Sequence, residues 1–210
     1  MSVVQSSPPA RSEPAWEIAR LFPHQGRWTE VDYLSLTENL NSLVELSDGR
    51  IEVLPMPTAA HQNIAFFLLT VLRAFITPRR LGFALPAPFR VRLGQDRFRE
   101  PDVCFMLREN SARMSNEFWK GADLVMEVVS PDPKDRDRDL QTKRDEYAKA
   151  GVAEYWVVDP QMQRVTVLRL MGGKYKVQAE GKPGGRVGSA LLKGFKLSVD
   201  EIFAAAEFPD

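Results

Sequence analysis

The stretch DLVMEVVS, residues 123–130, decides the fold because it is almost wholly apolar and carries a single interior charge, Glu127. A continuous apolar run of this length predicts a central strand that is covered on both faces. Strand alternation places Glu127 on one face together with Val125 and Val129. A buried, unpaired carboxylate is strongly destabilising, so a metal, a basic side chain or a raised pKa must stabilise Glu127. The alternative is that Glu127 is solvated at the end of the strand, just before Ser130.

The segments on either side of this strand predict an α/β sandwich, in which helices pack against a mixed sheet. Apolar stripes with helical spacing, ended by Pro78 and Gly151 in two cases, predict helices over residues 29–40, 59–77, 135–150 and 199–206. Alternating or continuous apolar runs predict strands over residues 82–92, 101–106, 153–159 and 163–170. Asp48-Gly49 predicts a tight hairpin turn, and residues 107–122 a loop with a helical turn.

The composition sets limits on domain number and on partners. A length of 210 residues predicts one domain, over residues 16–210, after a disordered leader at residues 1–15 that is rich in Ser, Pro and Ala. Lys plus Arg and Asp plus Glu both number 28, so the net charge is zero and bulk charge does not hold nucleic acid. Basic residues would have to gather on one face for that.

Cysteine usage and apolar runs bear on the compartment. The single cysteine, Cys104, excludes an intrachain disulfide and is expected to be buried, as suits a reducing compartment. The sequence shows neither an apolar run of about 20 residues nor a basic segment followed by an apolar core. We therefore expect a soluble cytoplasmic protein without a membrane partner.

A second carboxylate, Asp102, follows Pro101 at the head of the strand predicted over residues 101–106. An Asp in a turn before a strand is common, so Asp102 by itself has an ordinary structural explanation. Together with Glu127 it is more informative, because both carboxylates lie near the ends of neighbouring strands. Such a pair makes a hard oxygen site of the kind that Mg²⁺ prefers.

Lys143 is the third candidate residue. Leu140, Lys143 and Tyr147 are spaced by three and four, so they share one face of the helix predicted over residues 135–150. That face holds the apolar residues and should lie against the sheet, where a lysine must reach solvent or a charge. A cleft with Asp102 and Glu127 would supply the charge. The alternatives are a lysine that extends along the helix edge to water, or a pair with Asp139 one turn earlier.

This arrangement of Pro-Asp, a glutamate at a strand's end and a lysine resembles the PD-(D/E)xK nuclease superfamily. Val129 occupies the usual lysine position, but some branches place the lysine on the following helix, as Lys143 would be. More closely, the chain resembles the Uma-type family of restriction-endonuclease-like proteins across about residues 30–204. The resemblance is carried by VELSDG (44–49), His61, REPDV (99–103), DLVMEVVSP (123–131), DLQTKRDEYAKAGVAEYWVVDP (139–160) and LKGFKLSVDEIF (192–203). Ala122 departs from it, since proline is common there.

The resemblance implies a restriction-endonuclease-like αβββαβ core, with a mixed central sheet flanked by helices. It also implies that Asp102, Glu127 and Lys143 form the central triad, with Glu45 and His61 as companions. Each companion also has an ordinary explanation: Glu45 as a solvated residue of a hairpin strand, and His61 as an exposed residue at a helix start.

The expected activity is a Mg²⁺-dependent endonuclease acting on DNA, with Mn²⁺ as a second option. Asp102, Glu127 and the backbone carbonyl of Val128 would bind the metal, and Lys143 would position water and stabilise charge on the phosphate. Glu45 would extend the acidic cluster, and His61 would carry a proton or contact phosphate.

Other assignments stay open at this point. A homodimer would let a lone catalytic centre cut both strands. The same fold could instead serve as a catalytically silent nucleic-acid-binding or assembly protein, or as a metal-dependent hydrolase of another phosphate ester. The aromatic pair Tyr155 and Trp156 is expected to pack in the core. Four arginines are candidate contacts to the phosphate backbone, although exposed strand charges often serve solubility: Arg90, Arg92, Arg97 and Arg99.

Overall fold

The structure is a computed structural model that describes residues 22–38, 40 and 42–207. The leader predicted at residues 1–15 lies outside the described residues, and so does the start of the domain predicted over residues 16–210. Both therefore stay predictions.

Within the described residues the chain forms five α-helices and thirteen strands. The helices are α1 (Glu30–Thr37), α2 (Ala59–Ile76), α3 (Pro133–Asp137), α4 (Lys143–Lys149) and α5 (Val199–Ala204). The first seven strands are β1 (Val44–Ser47), β2 (Arg50–Val53), β3 (Gly82–Pro86), β4 (Arg90–Gly94), β5 (Arg97–Arg99), β6 (Val103–Leu107) and β7 (Phe118–Lys120). The others are β8 (Leu124–Val128), β9 (Glu154–Asp159), β10 (Arg164–Met171), β11 (Lys174–Gly181), β12 (Arg186–Gly188) and β13 (Lys196–Ser198).

The strands form two mixed sheets and a short hairpin, so the expectation of one central sheet was wrong. The larger sheet has the order β11-β10-β9-β8-β6-β3, the smaller one β2-β1-β5-β4-β7, and β12 pairs with β13. The single strand expected over residues 82–92 is in fact β3 and β4, which belong to different sheets. Pro88 lies between them and has no backbone N–H with which to continue a ladder.

The larger sheet by itself has a simple order of elements. Along the chain α2 precedes β3, β6 and β8, the α3–α4 run follows, and β9 comes next. The predicted helix–three strands–helix–strand order is therefore present, with β4, β5 and β7 diverted into the smaller sheet. β8 pairs antiparallel with β6 and parallel with β9, so the stretch around Glu127 is a central strand, as predicted.

Helix α2 covers one face of the larger sheet. Its residues Ile64, Leu68, Leu72 and Ile76 are buried against Met126 and neighbouring residues of the sheet. Each such side chain contributes about 1.5–3 kcal/mol by leaving water. By length and composition α2 could also cross a membrane, and 28% of it is buried inside the protein. The first turn of α2 contacts the residue before β6, since His61 Nε2 lies 2.8 Å from Oδ1 of Asp102.

Helix α4 covers the opposite face, where Tyr147 packs with Val125, Val129 and Tyr155. The helix predicted over residues 135–150 is present as α3 and α4, joined by a π-helical segment, Arg138–Thr142. Such π segments are uncommon and occur frequently at functional sites. Lys143 is the first residue after this segment, so the local change in helical pitch sets the position of its Cα atom relative to the sheet.

Several local predictions are confirmed. Helix α1 begins after Thr29, whose side chain and that of Asp32 form a reciprocal capping box. Asp48 and Gly49 have φ values of +50° and +70°, as a type I′ hairpin turn requires. A side chain on Gly49 would also meet the Gly26 backbone at 2.8 Å. Cys104, Tyr155 and Trp156 are packing residues, as expected, since each is 0% exposed.

Candidate functional site

A cleft of about 400 Å³ opens where the C-terminal end of β8 meets the residues before β6. Helix α2 forms one wall, and the α3–α4 run forms the other. The cleft brings together most of the residues that the sequence predicts for the site. Its lining includes Asp102, Glu127, Val128, His61 and Lys143, whereas Glu45 does not reach it.

Asp102 connects the end of β8 with the first turn of α2. Its Oδ2 accepts a hydrogen bond of 2.7 Å from the backbone N–H of Val128, and its Oδ1 lies 2.8 Å from Nε2 of His61. Because the N–H and C=O of an extended residue point to the same side of a strand, the Val128 carbonyl points to the Asp102 side as well. Each carboxylate oxygen keeps a further lone pair for a ligand.

Glu127 is buried at the end of the central strand. Its Oε1 accepts a hydrogen bond of 2.6 Å from the Tyr147 hydroxyl and lies 3.0 Å from Nζ of Lys143. Burial raises the pKa of Glu127 to about 7, Lys143 opposes the rise, and the charge of Asp102 adds to it. The solvated alternative for Glu127 is therefore wrong, because its partners are protein groups and it is 3% exposed.

Lys143 lies among three carboxylates. Its Nζ is 3.0 Å from Glu127, 3.2 Å from Asp139 and 3.8 Å from Glu45. Burial by itself would lower the pKa of Lys143, but the three carboxylates outweigh it and raise the pKa above its ordinary value. The side chain is therefore an ammonium group at neutral pH. It faces the acidic cluster and also pairs with Asp139, so these two explanations of the lysine hold together.

Glu45 lies behind Lys143, away from the cleft, and is fully buried. Its Oε1 accepts from the backbone N–H of Glu100 at 3.0 Å, and its Oε2 lies 2.6 Å from Nη1 of Arg99. Burial would raise the pKa of Glu45, but Lys143 and Arg99 together lower it to about 2. Both oxygens thus bind protein groups, and the structure gives Glu45 the position of a support for Lys143, whereas an extension of the acidic cluster toward a second metal or a water was expected.

His61 lies in the first turn of α2, where Thr58 caps the helix by accepting from the His61 backbone N–H. Burial disfavours the charged imidazolium, but the hydrogen bond to Asp102 and the charge of that residue raise the pKa of His61 overall. The ring is therefore fixed by a carboxylate at the edge of the cleft. The exposed alternative for His61 does not hold, since its side chain is 18% exposed.

Sequence reasoning missed a layer of residues behind the site. Arg99, 2% exposed, donates to Glu146 of α4 at 2.6 and 3.0 Å as well as to Glu45. Tyr147 binds Glu127, and the spacing of four from Lys143 was a signal for its position. Arg99 had no such signal, because its partners are 54 and 47 residues away in sequence.

Glu100 is a further residue that the sequence did not single out. It lines the cleft just before Pro101, and its Oε2 is buried without a hydrogen-bond partner among the described residues. Burial raises the pKa of Glu100 to about 7, and the charge of Glu45 adds to the rise. Glu100 therefore adds to the acidic character of the cleft.

The four arginines that are candidate phosphate contacts all have partners within the protein. Arg90 donates to the Thr37 carbonyl, and Arg92 lies 2.6 Å from Glu30. Arg97 pairs with Asp48 and Glu146, and Arg99 with Glu45 and Glu146. Arg92, Arg97 and Arg99 are thus paired with carboxylates within the fold, whereas Arg90 has a carbonyl partner. Contact of these arginines with phosphate stays a prediction.

Val129 occupies the position at which the PD-(D/E)xK pattern usually has its lysine. It is buried in the packing around Tyr147 and Tyr155, so this position faces the core and not the cleft. Lys143 brings an ammonium group to Glu127 from the helix. Although Val129 stands where a lysine is usual, Glu127 therefore still has a cation nearby, namely Lys143.

The donor groups of the cleft fit a hydrated divalent ion. Among the described residues no group of three or more His, Cys, Asp and Glu side chains could hold a metal by itself. Two carboxylates and a carbonyl are, however, the donors that Mg²⁺ accepts when water and phosphate oxygens complete its shell. Burial, and to a lesser extent the charge of Asp102, raises the pKa of Glu127, and a bound dication would favour its ionised form.

Comparisons with known proteins find a matching family model and a solved structure of similar fold. A family model described as "Uma2: Putative restriction endonuclease" matches residues 30–200. The crystal structure of "a putative nuclease belonging to DUF820" from Anabaena variabilis ATCC 29413 is similar, with a TM-score of 0.70 and 23% sequence identity. The similarity covers 85% of this chain and 99% of that one, and at this identity it concerns the fold. No curated protein matches the sequence.

Proposed function

The chain belongs to the Uma2 family, and on this premise we propose that it is a metal-dependent endonuclease that hydrolyses phosphodiester bonds of DNA. One observation carries the proposal: Asp102, Glu127 and Lys143, far apart in sequence, meet at one cleft with Lys143 Nζ 3.0 Å from Glu127. The order of α2, β3, β6, β8, α4 and β9 supports it, because it is the αβββαβ order of restriction-endonuclease-like proteins.

Asp102 and Glu127 would hold Mg²⁺, or Mn²⁺, with the Val128 carbonyl as a third ligand. The ion would supply a Lewis acid at the scissile phosphate and lower the pKa of its bound water. The Val128 N–H fixes the orientation of Asp102, and the Tyr147 hydroxyl fixes that of Glu127. The two carboxylates are thus held before substrate arrives, which is the property that catalysis by a preorganised site requires.

Lys143 would orient the attacking water and stabilise the negative charge that grows on the phosphate. Its ammonium group is kept protonated by three carboxylates, so it offers a positive charge and does not act as a base. Glu45 acts through Lys143 as a positioning residue, because it lies 3.8 Å from Nζ and is itself fixed by Arg99.

His61 would bind a phosphate oxygen or pass a proton to the leaving oxygen. Its position at the N-terminus of α2 favours an anion nearby, since the backbone N–H groups there carry partial positive charge. Asp102 raises the pKa of His61, so a larger share of the ring is protonated at neutral pH than in a free histidine. Because the described residues of each chain form one such site, a homodimer would be needed to cut both strands in one binding event.

The test is a plasmid cleavage assay with Mg²⁺ or Mn²⁺ on wild type, Glu127→Gln and Lys143→Met. We expect both variants to lose cleavage, because one lacks a ligand charge and the other the ammonium group. Glu109→Gln is the matched control, since Glu109 is exposed in the 3₁₀ helix and carries the same chemical change. Equal cleavage by all four proteins would point to a contaminating nuclease and refute the proposal.

A second candidate is hydrolysis of a smaller phosphate ester at the same site. The cleft volume of about 400 Å³ suits a small molecule. Part of its wall is apolar, formed by Met56, Phe66 and neighbouring prolines. A panel of plasmid, single-stranded DNA, RNA and nucleotide substrates separates the two activities, since a small-ester hydrolase would turn over nucleotides and leave the polymers intact.

A further inference from the structure

The cleft itself is poorly suited to hold a polyanion. Six carboxyl side chains line it, and the two cations among its lining residues, Arg138 and Lys143, already pair with carboxylates. Bound Mg²⁺ would offset part of this negative charge at a single phosphate. A DNA strand also needs cations along its flanking phosphates, because phosphate neutralisation supplies most of the affinity of DNA-binding proteins.

The charge of the chain is distributed unevenly, although its total is zero. Residues 160–198 contain eight Lys or Arg and one acidic residue, Glu180, so they carry +7 and the rest of the chain −7. Within this segment, which the structure describes in full, only Arg164 has an ion pair, with Glu180 at 4.0 Å. The remaining seven cations are exposed: Arg169, Lys174, Lys176, Lys182, Arg186, Lys193 and Lys196. We call these seven residues the basic surface.

The pairing of strands brings like charges together on this surface. Arg169 of β10 lies directly opposite Lys176 of β11, and Lys174 is two residues further along the same strand. Like charges directly opposite each other destabilise a sheet. Their persistence without an acidic partner favours a function in which a polyanion neutralises them.

The strand register places one end of the basic surface at the edge of the sheet that carries the site. Across four neighbouring strands, Val128 pairs with Val158, Val158 with Val165, and Val165 with Gly181. Gly181 is three strand spacings, or about 14 Å, from Val128. Lys182 follows Gly181 directly in the sequence, so its backbone lies at about the same distance from the site. Along a DNA strand this corresponds to about four nucleotides at 3.4 Å each.

We propose that the basic surface, and Lys182 and Arg186 in particular, binds the phosphate backbone of DNA beside the bond that is cleaved. The inference rests on the proposed function in taking DNA as the partner, but its test does not require cleavage. In this arrangement the acidic cleft would hold the metal ion, and a separate cationic surface would bind the flanking phosphates. A chain of zero net charge could hold a polyanion in this way.

The test is binding of fluorescently labelled duplex and single-stranded DNA in EDTA, followed by anisotropy over a range of salt concentrations. The variant is Lys182→Gln with Arg186→Gln. Its matched control, Lys120→Gln with Lys149→Gln, removes two exposed charges outside the surface. If each lost phosphate contact contributes a salt exponent of about 0.9, the variant should bind about 10- to 60-fold more weakly at about 0.1 M salt. The slope of log Kobs against log salt should fall by about two, and the control should bind as wild type.

Two outcomes would overturn the inference. Wild-type affinity and slope in the variant, with its thermal unfolding unchanged, would show that DNA does not contact these residues. The same variant is also sedimented with phosphatidylserine vesicles. If it no longer sediments with the vesicles but still binds DNA as wild type does, the basic surface binds a membrane and the inference is wrong. Absent cleavage by wild type with intact, salt-dependent binding would refute the proposed function, but the basic surface would still be a DNA-binding surface.

Discussion

Replacing Tyr147 by Phe removes one hydroxyl group from the centre of the site and leaves the ring in place. The hydroxyl donates to Glu127 Oε1 at 2.6 Å, and both residues are buried. Because the pKa of Glu127 is about 7, the measurement is made at about pH 8, where this carboxylate is mostly ionised. A hydrogen bond to a charged group contributes about 1.5–3 kcal/mol, so we expect the free energy of unfolding to fall by that amount. With Glu127 less firmly oriented, cleavage should slow by about tenfold, or about 1.4 kcal/mol of activation free energy.

Tyr175→Phe is the matched control for this change. Its hydroxyl is also buried and donates to the backbone carbonyl of Val152 at 2.8 Å, away from the cleft. A bond between uncharged groups contributes about 0.5–1.5 kcal/mol, so the control should lose less stability and keep its cleavage rate. The comparison separates the removal of a buried hydroxyl in general from the removal of the one that orients Glu127.

A double-mutant cycle in urea measures the interaction directly. It combines Tyr147→Phe with Glu127→Met, and the coupling free energy should lie at about 1–3 kcal/mol. Additivity within about 0.5 kcal/mol would show that the hydroxyl and the carboxylate do not interact, and would refute the argument that Tyr147 orients Glu127. Equal slowing of cleavage in Tyr147→Phe and Tyr175→Phe would refute it as well.

Two further predictions concern pH and metal. The folded pKa of Glu45, about 2, lies below its unfolded value of 4.5, so its stabilisation is present above pH 4.5 and lost toward pH 2. Wild type should therefore lose about 1 kcal/mol of this contribution between about pH 5 and pH 3.5, and urea titrations should show Glu45→Gln without that loss. Saturating Mg²⁺, at about 100 times its Kd, should raise the Tm of wild type by about 5–10 °C. Scanning calorimetry should find little shift in Asp102→Asn, and an equal shift would place the ion elsewhere.

Much of the local structure was determined by the sequence itself. The helical stripe of α2, the capping box at Thr29 and the Asp48-Gly49 turn all depend on residues close together in the chain. The same holds for Glu127, because a charge inside a continuous apolar strand must find a partner wherever that strand lies. Two of its partners, Lys143 and Tyr147, were placed on the sheet-facing side of their helix by spacing.

The tertiary structure decided what depends on contacts between distant segments. The division into two sheets followed from the path of the chain after Pro88, and the partners of Arg99 lie on β1 and α4. Strand alternation made the arginines of β4 and β5 resemble a free cationic row, yet folding brought a carboxylate to three of the four. Ion pairing depends on distance in space, whereas hydrophobic periodicity depends on position along an element. For that reason the sequence indicated where the charges of the site would be needed, and only the fold decided which of the other charges were neutralised.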